Sequence, residues 1–258
     1  MFSLEIECDP DDRDMLIAEL WEQGSAGIVE LNPQRVRAFF EERADHEALL
    51  RLYPGSRMRL EEDRDWVQAA RDLLQPMEVG KRFYLVPEWR DDPTPEGRFR
   101  IVVNPGLAFG TGLHGTTQLC VEALEDFVRP GMTVLDVGTG SGILGRAARL
   151  LGAGKVMACD IDEVALRIAA GQIEGNVFVG SVDAVAAGAA DLVVANISPE
   201  AIVALAPEFA RVLLPGGVLL ASGFEQHEVE QVSAALPTVV DARHKGGWSL
   251  VVGRKPAA

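Results

Sequence analysis

VLDVGTGSG, Val134 to Gly142, is the stretch that decides the fold. A short strand-like run leads into three glycines at alternate positions, Gly138, Gly140 and Gly142. The helix-compatible run ILGRAARLLGAG follows, and then a second apolar segment, VMAC, ends at Asp160. Strand, glycine turn, helix, strand and acid is the order of a nucleotide-binding βαβ unit. Its glycines let the backbone approach a ligand, and the acid ending the second strand accepts a pair of ribose hydroxyls. The spacing here is G-x-G-x-G, not the dinucleotide G-x-G-x-x-G, and no Walker lysine follows. An adenosine without a phosphate chain suits it best, and S-adenosylmethionine is such a ligand. Glycine-rich strand-to-helix turns also occur in α/β folds that bind nothing, so the motif alone leaves both readings open.

Around this unit the pattern keeps alternating. RIVVN reads as a strand and Thr117 to Phe127 as a helix. After the glycine unit come a short third strand (NVFVG), a fourth (DLVVANI), a helix from about Pro199, a fifth strand (GGVLLASG) and a helix near Gln226 to Leu236. Strands separated by helices imply a parallel sheet. TVVDARHKGGWSLVVGR reads as a closing hairpin that adds an antiparallel strand at one edge.

The first part of the chain has a different character. Phe2 to Glu7 alternates like a half-buried strand, and a helix ending at Gly24 follows the acids of Asp9 to Asp14. GIVEL and RVRAFF form a strand pair across Asn32-Pro33, His46 to Leu52 is a short helix, and RMRLEE is a further strand. This mixture reads as a small α+β, ferredoxin-like binding domain. The expected division is residues 1–64 for that domain, 65–98 for a linker with one helix stopped by Pro76, and 99–258 for the cofactor domain. RDDPTPEGR closes the linker as an exposed loop.

Composition sets further bounds. The 258 residues carry 39 acids and 24 bases, a formal net charge of -15. That disfavours non-specific nucleic-acid binding, which needs a basic face, and favours a basic protein as partner. Acidity also simply aids solubility. The three cysteines are far apart and lack metal spacing, so no disulfide framework or metal site is expected. MFSLEIECDPDD is too acidic for a signal peptide, and no apolar run reaches a membrane span, so a cytoplasmic location is expected.

In a doubly wound sheet, ligands sit beyond the carboxyl ends of the strands. Gly138, Thr139 and Gly140 can therefore meet the amino-acid part of a ligand with their backbone. Asp160 can hold the ribose, and Asp162 either substitutes for it or caps the next helix. Asn196 ends strand four, where its amide can hold the methionine end and orient an incoming amine. It can equally begin a turn before Pro199. Asp183 is a candidate for the adenine amino group. NPGLAFGTGLHGTTQL, Asn104 to Leu119, makes an adaptable glycine-rich loop. Within it, Phe109 can stack on a ligand, and His114 is either a base or an ordinary hydrogen-bonded loop histidine.

Taken together, NPGLAFGTGLHGTTQL, VLDVGTGSGIL, DID, VVANI and LLASG resemble the bacterial ribosomal protein L11 methyltransferase family. DWVQAARDLLQPMEVGKRFYLVPEW is similar to that family's linker. The resemblance implies a class I methyltransferase fold with S-adenosylmethionine as cofactor. It also implies an N-terminal domain that recognises a basic ribosomal protein of the large subunit, and lysine side chains and an α-amine as acceptors. Matched residue by residue, it places cofactor contacts on Thr117, Gly138, Asp160 and Asn196. Gly140 joins them from the turn geometry, and Asn196 is the candidate catalytic residue. The chain departs from the family pattern at Ala70, where a second tryptophan is usual, and in the shortened AAGQIEGN stretch. These departures leave a related lysine methyltransferase of another protein as the nearest alternative, and the sequence also leaves open the modified amines, the number of methyl groups and the oligomeric state.

Overall fold

A computed structural model describes residues 1–10, 12–41, 44–60, 74–104, 114–173, 176–236 and 238–257. Phe109, the helix expected around Trp66, and Ala70 lie outside the described residues. The chain forms two compact units, Met1–Gln75 and Pro76–Ala258.

The first unit runs β1 (Phe2–Glu7), α1 (Arg13–Glu22), β2 (Gly27–Asn32), β3 (Arg35–Phe40), α2 (His46–Leu52) and β4 (Arg57–Leu60). Its antiparallel sheet has the order β2-β3-β1-β4. This βαββαβ arrangement is the expected ferredoxin-like fold. Side chains alternate along a strand, so Phe2, Leu4 and Ile6 share one face with Val36, Ala38 and Phe40. Leu20 of α1 and Leu49 of α2 close over them. The opposite face carries Glu5, only 7% exposed and held by Arg37 at 2.9 Å and Arg35 at 3.2 Å. The Arg37 guanidinium is the main reason the Glu5 carboxyl titrates below the usual carboxylate range.

The second unit begins with a three-stranded sheet of β5 (Met77–Val79), β6 (Phe83–Pro87) and β7 (Phe99–Val103). The FYLVP strand of the expected linker therefore belongs here, together with β5, which the sequence reading did not anticipate, because Val79, Phe83 and Leu85 are buried in this unit's core. RIVVN also falls in this small sheet, paired in parallel with β6, and not in the large one. After α3 (Gly115–Phe127) come β8 (Thr133–Val137), α4 (Ile143–Leu150), β9 (Lys155–Asp160), α5 (Glu163–Gln172), β10 (Asn176–Val179) and β11 (Ala190–Asn196). The chain continues through α6 (Pro199–Val212), β12 (Leu213–Glu225), α7 (Val229–Ala235), β13 (Val239–Lys245) and β14 (Trp248–Arg254). These strands form a seven-stranded sheet of order β10-β9-β8-β11-β12-β14-β13, in which the first five are parallel.

Apolar residues cover both faces of this sheet. Val134, Leu192 and Val194 face α3 and α4, while Leu135, Val193 and Ala195 face α6 and α7. Burial on both sides is why these strands read as continuous apolar runs. The closing hairpin differs from the expected edge addition. β14 inserts between β12 and β13, so the antiparallel strand is internal and β13 is the edge. The physical reason is composition. Ser249 to Val252 are fully buried, whereas most of β13 remains at least partly exposed and carries Asp241, Arg243 and Lys245, as edge strands do. Gly246 and Gly247, at φ 56° and 87°, make the tight turn that joins them.

Candidate functional site

The chain leaves β8 on one side toward β9 and returns on the other side as β11. That reversal opens a crevice at the carboxyl ends of β8 and β11. Gly138 stands at its floor. Its φ is 68°, and a Cβ there would run into Cγ2 of Ile197, the residue after Asn196. Only glycine meets both demands, and the contact joins the two sides of the crevice.

On the β9 side, Oδ2 of Asp160 accepts the Gly140 N–H at 2.8 Å, and Oδ1 accepts the Asp162 N–H at 3.0 Å. The N–H groups of Gly138 and Thr139 both donate to the Cys159 carbonyl, at 2.9 and 3.0 Å. The acid is thus fastened to the glycine turn, and each oxygen keeps a lone pair for a hydroxyl. Asp162 accepts the Val164 N–H at 2.8 Å and caps α5, which is the second of the two roles open to it. Burial pushes the Cys159 thiol up to about 12, as for a core side chain.

On the β11 side, the Asn196 amide donates to Oγ1 of Thr117 across 3.4 Å. Thr117 lies in the first turn of α3 and is almost fully buried. The helix starts two residues before the expected Thr117, at Gly115. His114 precedes it, with Nδ1 2.7 Å from Oγ1 of Thr116 and its ring 4.4 Å from that of Trp248. Asp183 lies in a short 3₁₀ turn after β10, and its backbone carbonyl accepts from Arg211. The structure therefore joins Gly140 to Asp160, Thr117 to Asn196, and Gly138 to the residue beside Asn196.

A family model described as ribosomal protein L11 methyltransferase (PrmA) matches residues 31–256. This chain belongs to the ribosomal protein L11 methyltransferase family. It is similar to a ribosomal protein L11 methyltransferase of Pelotomaculum thermopropionicum, with 44% identity over 224 residues, 81% of this chain and 73% of that relative. One from Burkholderia multivorans is 38% identical over 239 residues, 90% of this chain and 79% of the relative. A crystal structure of ribosomal protein L11 methylase from Lactobacillus delbrueckii subsp. bulgaricus superposes with a TM-score of 0.64 at 34% identity. It spans 70% of this chain and all of that one.

Within this family member, sequence reasoning assigned no role to Asp136. The residue is fully buried in β8, and its Oδ2 accepts from Thr139 Oγ1 at 2.7 Å and from the Gly145 N–H at 2.9 Å. One carboxylate thus ties strand, turn and helix together, while its Oδ1 has no hydrogen-bond partner among the described residues. Burial raises its pKa to about 6 against the pull of Thr139 and Gly145, with the charge of Asp160 adding to the rise. The signal was available, since VLDV places an acid inside an apolar strand, where an unpaired charge is costly. Trp248 was also passed over as a hairpin residue, because its neighbours in space come from α3.

Proposed function

We propose that this chain transfers methyl groups from S-adenosylmethionine to lysine side chains and the α-amine of ribosomal protein L11, in the cytoplasm. The observation that supports it best is the convergence of an acid-clamped glycine turn, Gly140 on Asp160, with the Thr117–Asn196 pair across one crevice. The donor set fits the cofactor. Asp160 offers acceptors for a ribose, the turn from Gly138 to Gly140 offers backbone to the methionine end, and Asn196 offers both a donor and an acceptor. S-adenosylmethionine supplies an electrophilic methyl group on a sulfonium.

The protein's part is to hold a neutral amine in line. A lysine ammonium has an unperturbed pKa of about 10.4, so its proton must leave first. Desolvation on entering the site disfavours the charged amine, and a neighbouring cation disfavours it further. Asn196 can then accept from the amine and fix its direction. Alignment of this kind contributes up to roughly 7–11 kcal/mol in favourable cases, so no dedicated base is required. The first unit supplies recognition of the protein substrate. The net charge of -15 suits a basic partner and not a nucleic acid.

Tritiated S-adenosylmethionine with purified ribosomal protein L11, followed by gel electrophoresis with nuclease controls, tests this reading. Label in the protein band is the expected result. Label that nuclease removes, or label confined to small molecules, would refute it.

A further inference from the structure

The backbone at Asn196 is fixed on both sides. Asn196 pairs with Ser222 of β12, the Ile197 N–H donates to the Ser222 carbonyl at 3.1 Å, and the Ile197 side chain closes on Gly138. What stays free is the terminal torsion of the Asn196 side chain. That torsion is broad and roughly two-fold, so the amide can present either Nδ2 or Oδ1 to the crevice. Thr117 removes the choice. Its Oγ1 accepts from Nδ2 across 3.4 Å, and Thr117 is only 1% exposed, so its hydroxyl stands behind the amide and not in the open crevice. Oδ1 bonds no group among the described residues and is not buried. With Nδ2 turned to Thr117, the carbonyl oxygen is therefore the atom that faces the crevice. The two orientations differ in chemistry. A neutral amine attacks through its lone pair. Nδ2 in the crevice would donate to that lone pair and tie it up, whereas Oδ1 accepts an amine N–H and leaves the lone pair free.

We propose that Thr117 is a positioning residue for methyl transfer: it turns Asn196 so that the site presents an acceptor to the nitrogen, and thereby favours amines that still carry an N–H. This rests on the methyl-transfer reading above. In each transfer the nitrogen lone pair forms the N–C bond while the C–S bond breaks and its electron pair stays on sulfur. The product nitrogen is cationic and loses a proton to water before it reacts again. A primary amine offers two N–H groups to Oδ1, a monomethylated amine offers one, and a dimethylated amine offers none. The first two transfers therefore have the help of the Thr117–Asn196 pair, and a third proceeds without it.

The test compares wild type with Thr117→Val, which keeps the shape and removes the hydroxyl, and with Thr117→Ser, which keeps the hydroxyl. Time-resolved mass spectrometry of ribosomal protein L11 at saturating S-adenosylmethionine follows each methyl group added at one site. In Thr117→Val the first and second transfers should slow by roughly tenfold, as for the loss of one hydrogen bond of ordinary strength, while a third changes little. Thr117→Ser should restore the wild-type pattern. Heteronuclear NMR of the enzyme alone gives a readout independent of turnover. The Asn196 side-chain amide resonances should move in Thr117→Val and return toward wild type in Thr117→Ser. Calorimetric titration with S-adenosylmethionine isolates the rival role. Weaker binding with unchanged saturated rates would make Thr117 a cofactor contact only and overturn this inference alone. Equal slowing of every transfer, or an Asn196 amide indifferent to Thr117→Val, would overturn it as well. Wild-type enzyme that leaves the ribosomal protein unmethylated would overturn the functional reading and this inference with it.

Discussion

The carboxylate of Asp160 accepts the Gly140 N–H at 2.8 Å, so the acid ending one strand is bolted to the glycine turn of its neighbour. Asp160 therefore has a structural duty beside the binding duty proposed for it. Asp160→Ala should weaken S-adenosylmethionine binding by about 1.5–3 kcal/mol, the range for a hydrogen bond to a charged group. It should also destabilise the unit by on the order of 1 kcal/mol, because the Gly140 N–H loses its partner. Calorimetric titration and thermal melts measure the two effects separately. Wild-type affinity in a folded mutant would remove Asp160 from the binding site.

Asp136 gives a pH signature. Its folded pKa of about 6 lies above the ordinary carboxylate value. Between the two values the native state binds the extra proton, so this residue's contribution to stability falls as pH rises from about 4 to 6. The destabilisation is complete above the folded value and absent below the unfolded one. In Asp136→Asn, the amide would keep one oxygen for Thr139 and Gly145 without titrating. That variant should therefore gain stability relative to wild type across the same window, by up to about 3 kcal/mol for a carboxyl raised from its ordinary value to about 6. Urea melts of both proteins at several pH values would show it. A difference that stays constant with pH would contradict the assignment.

Legibility followed burial. β8, β11 and β12 are buried on both faces, so their apolar runs declared a parallel sheet, and the glycine turn marked where the ligand side lies. The Phe2, Leu4, Ile6 alternation likewise declared the half-covered sheet of the first unit. What stayed hidden were relationships between distant segments. Nothing local in FYLVP says that Phe83 and Leu85 fill the core under α3, so the unit boundary moves from about 99 to Pro76. The inserted position of β14 was readable in principle, since SLVV is continuously apolar and VVDARHK is not. The contact of Trp248 with His114 joins residues far apart in the chain, and no periodicity announces it.

That boundary has a measurable consequence. A fragment starting at Phe99 loses Val79, Phe83, Leu85 and Val86, all at most 2% exposed. At about 1.5–3 kcal/mol per buried side chain, the loss is roughly 6–12 kcal/mol, comparable to the whole stability of an ordinary domain. A fragment of residues 76–258 should be soluble, fold cooperatively and bind S-adenosylmethionine, yet fail to methylate intact ribosomal protein L11. A fragment of residues 99–258 should be unfolded or aggregated. Circular dichroism and calorimetry of both fragments decide the boundary, and full activity of the shorter fragment on the protein substrate would refute it.

The sharpest test of the chemistry is Asn196. Among the described residues its side chain is held by Thr117, at a long 3.4 Å. The turn that follows does not depend on it, since Ser198 caps α6 by accepting the Ala201 N–H. Asn196→Ala should therefore leave the fold almost intact. If the amide orients the incoming amine, its loss falls mainly on the transition state, and turnover drops while cofactor affinity changes little. The expected rate loss is on the order of 10²-fold, the low end of what removing one positioned donor costs. An amide that only held the cofactor would instead weaken binding and leave the saturated rate alone. Single-turnover methyl transfer to ribosomal protein L11 at saturating S-adenosylmethionine, on mutant protein with wild-type circular dichroism, separates the two. A near-wild-type rate under those conditions would strip Asn196 of any chemical role and shift the search for the amine's partner to the first turn of α3, where His114 and Thr116 stand.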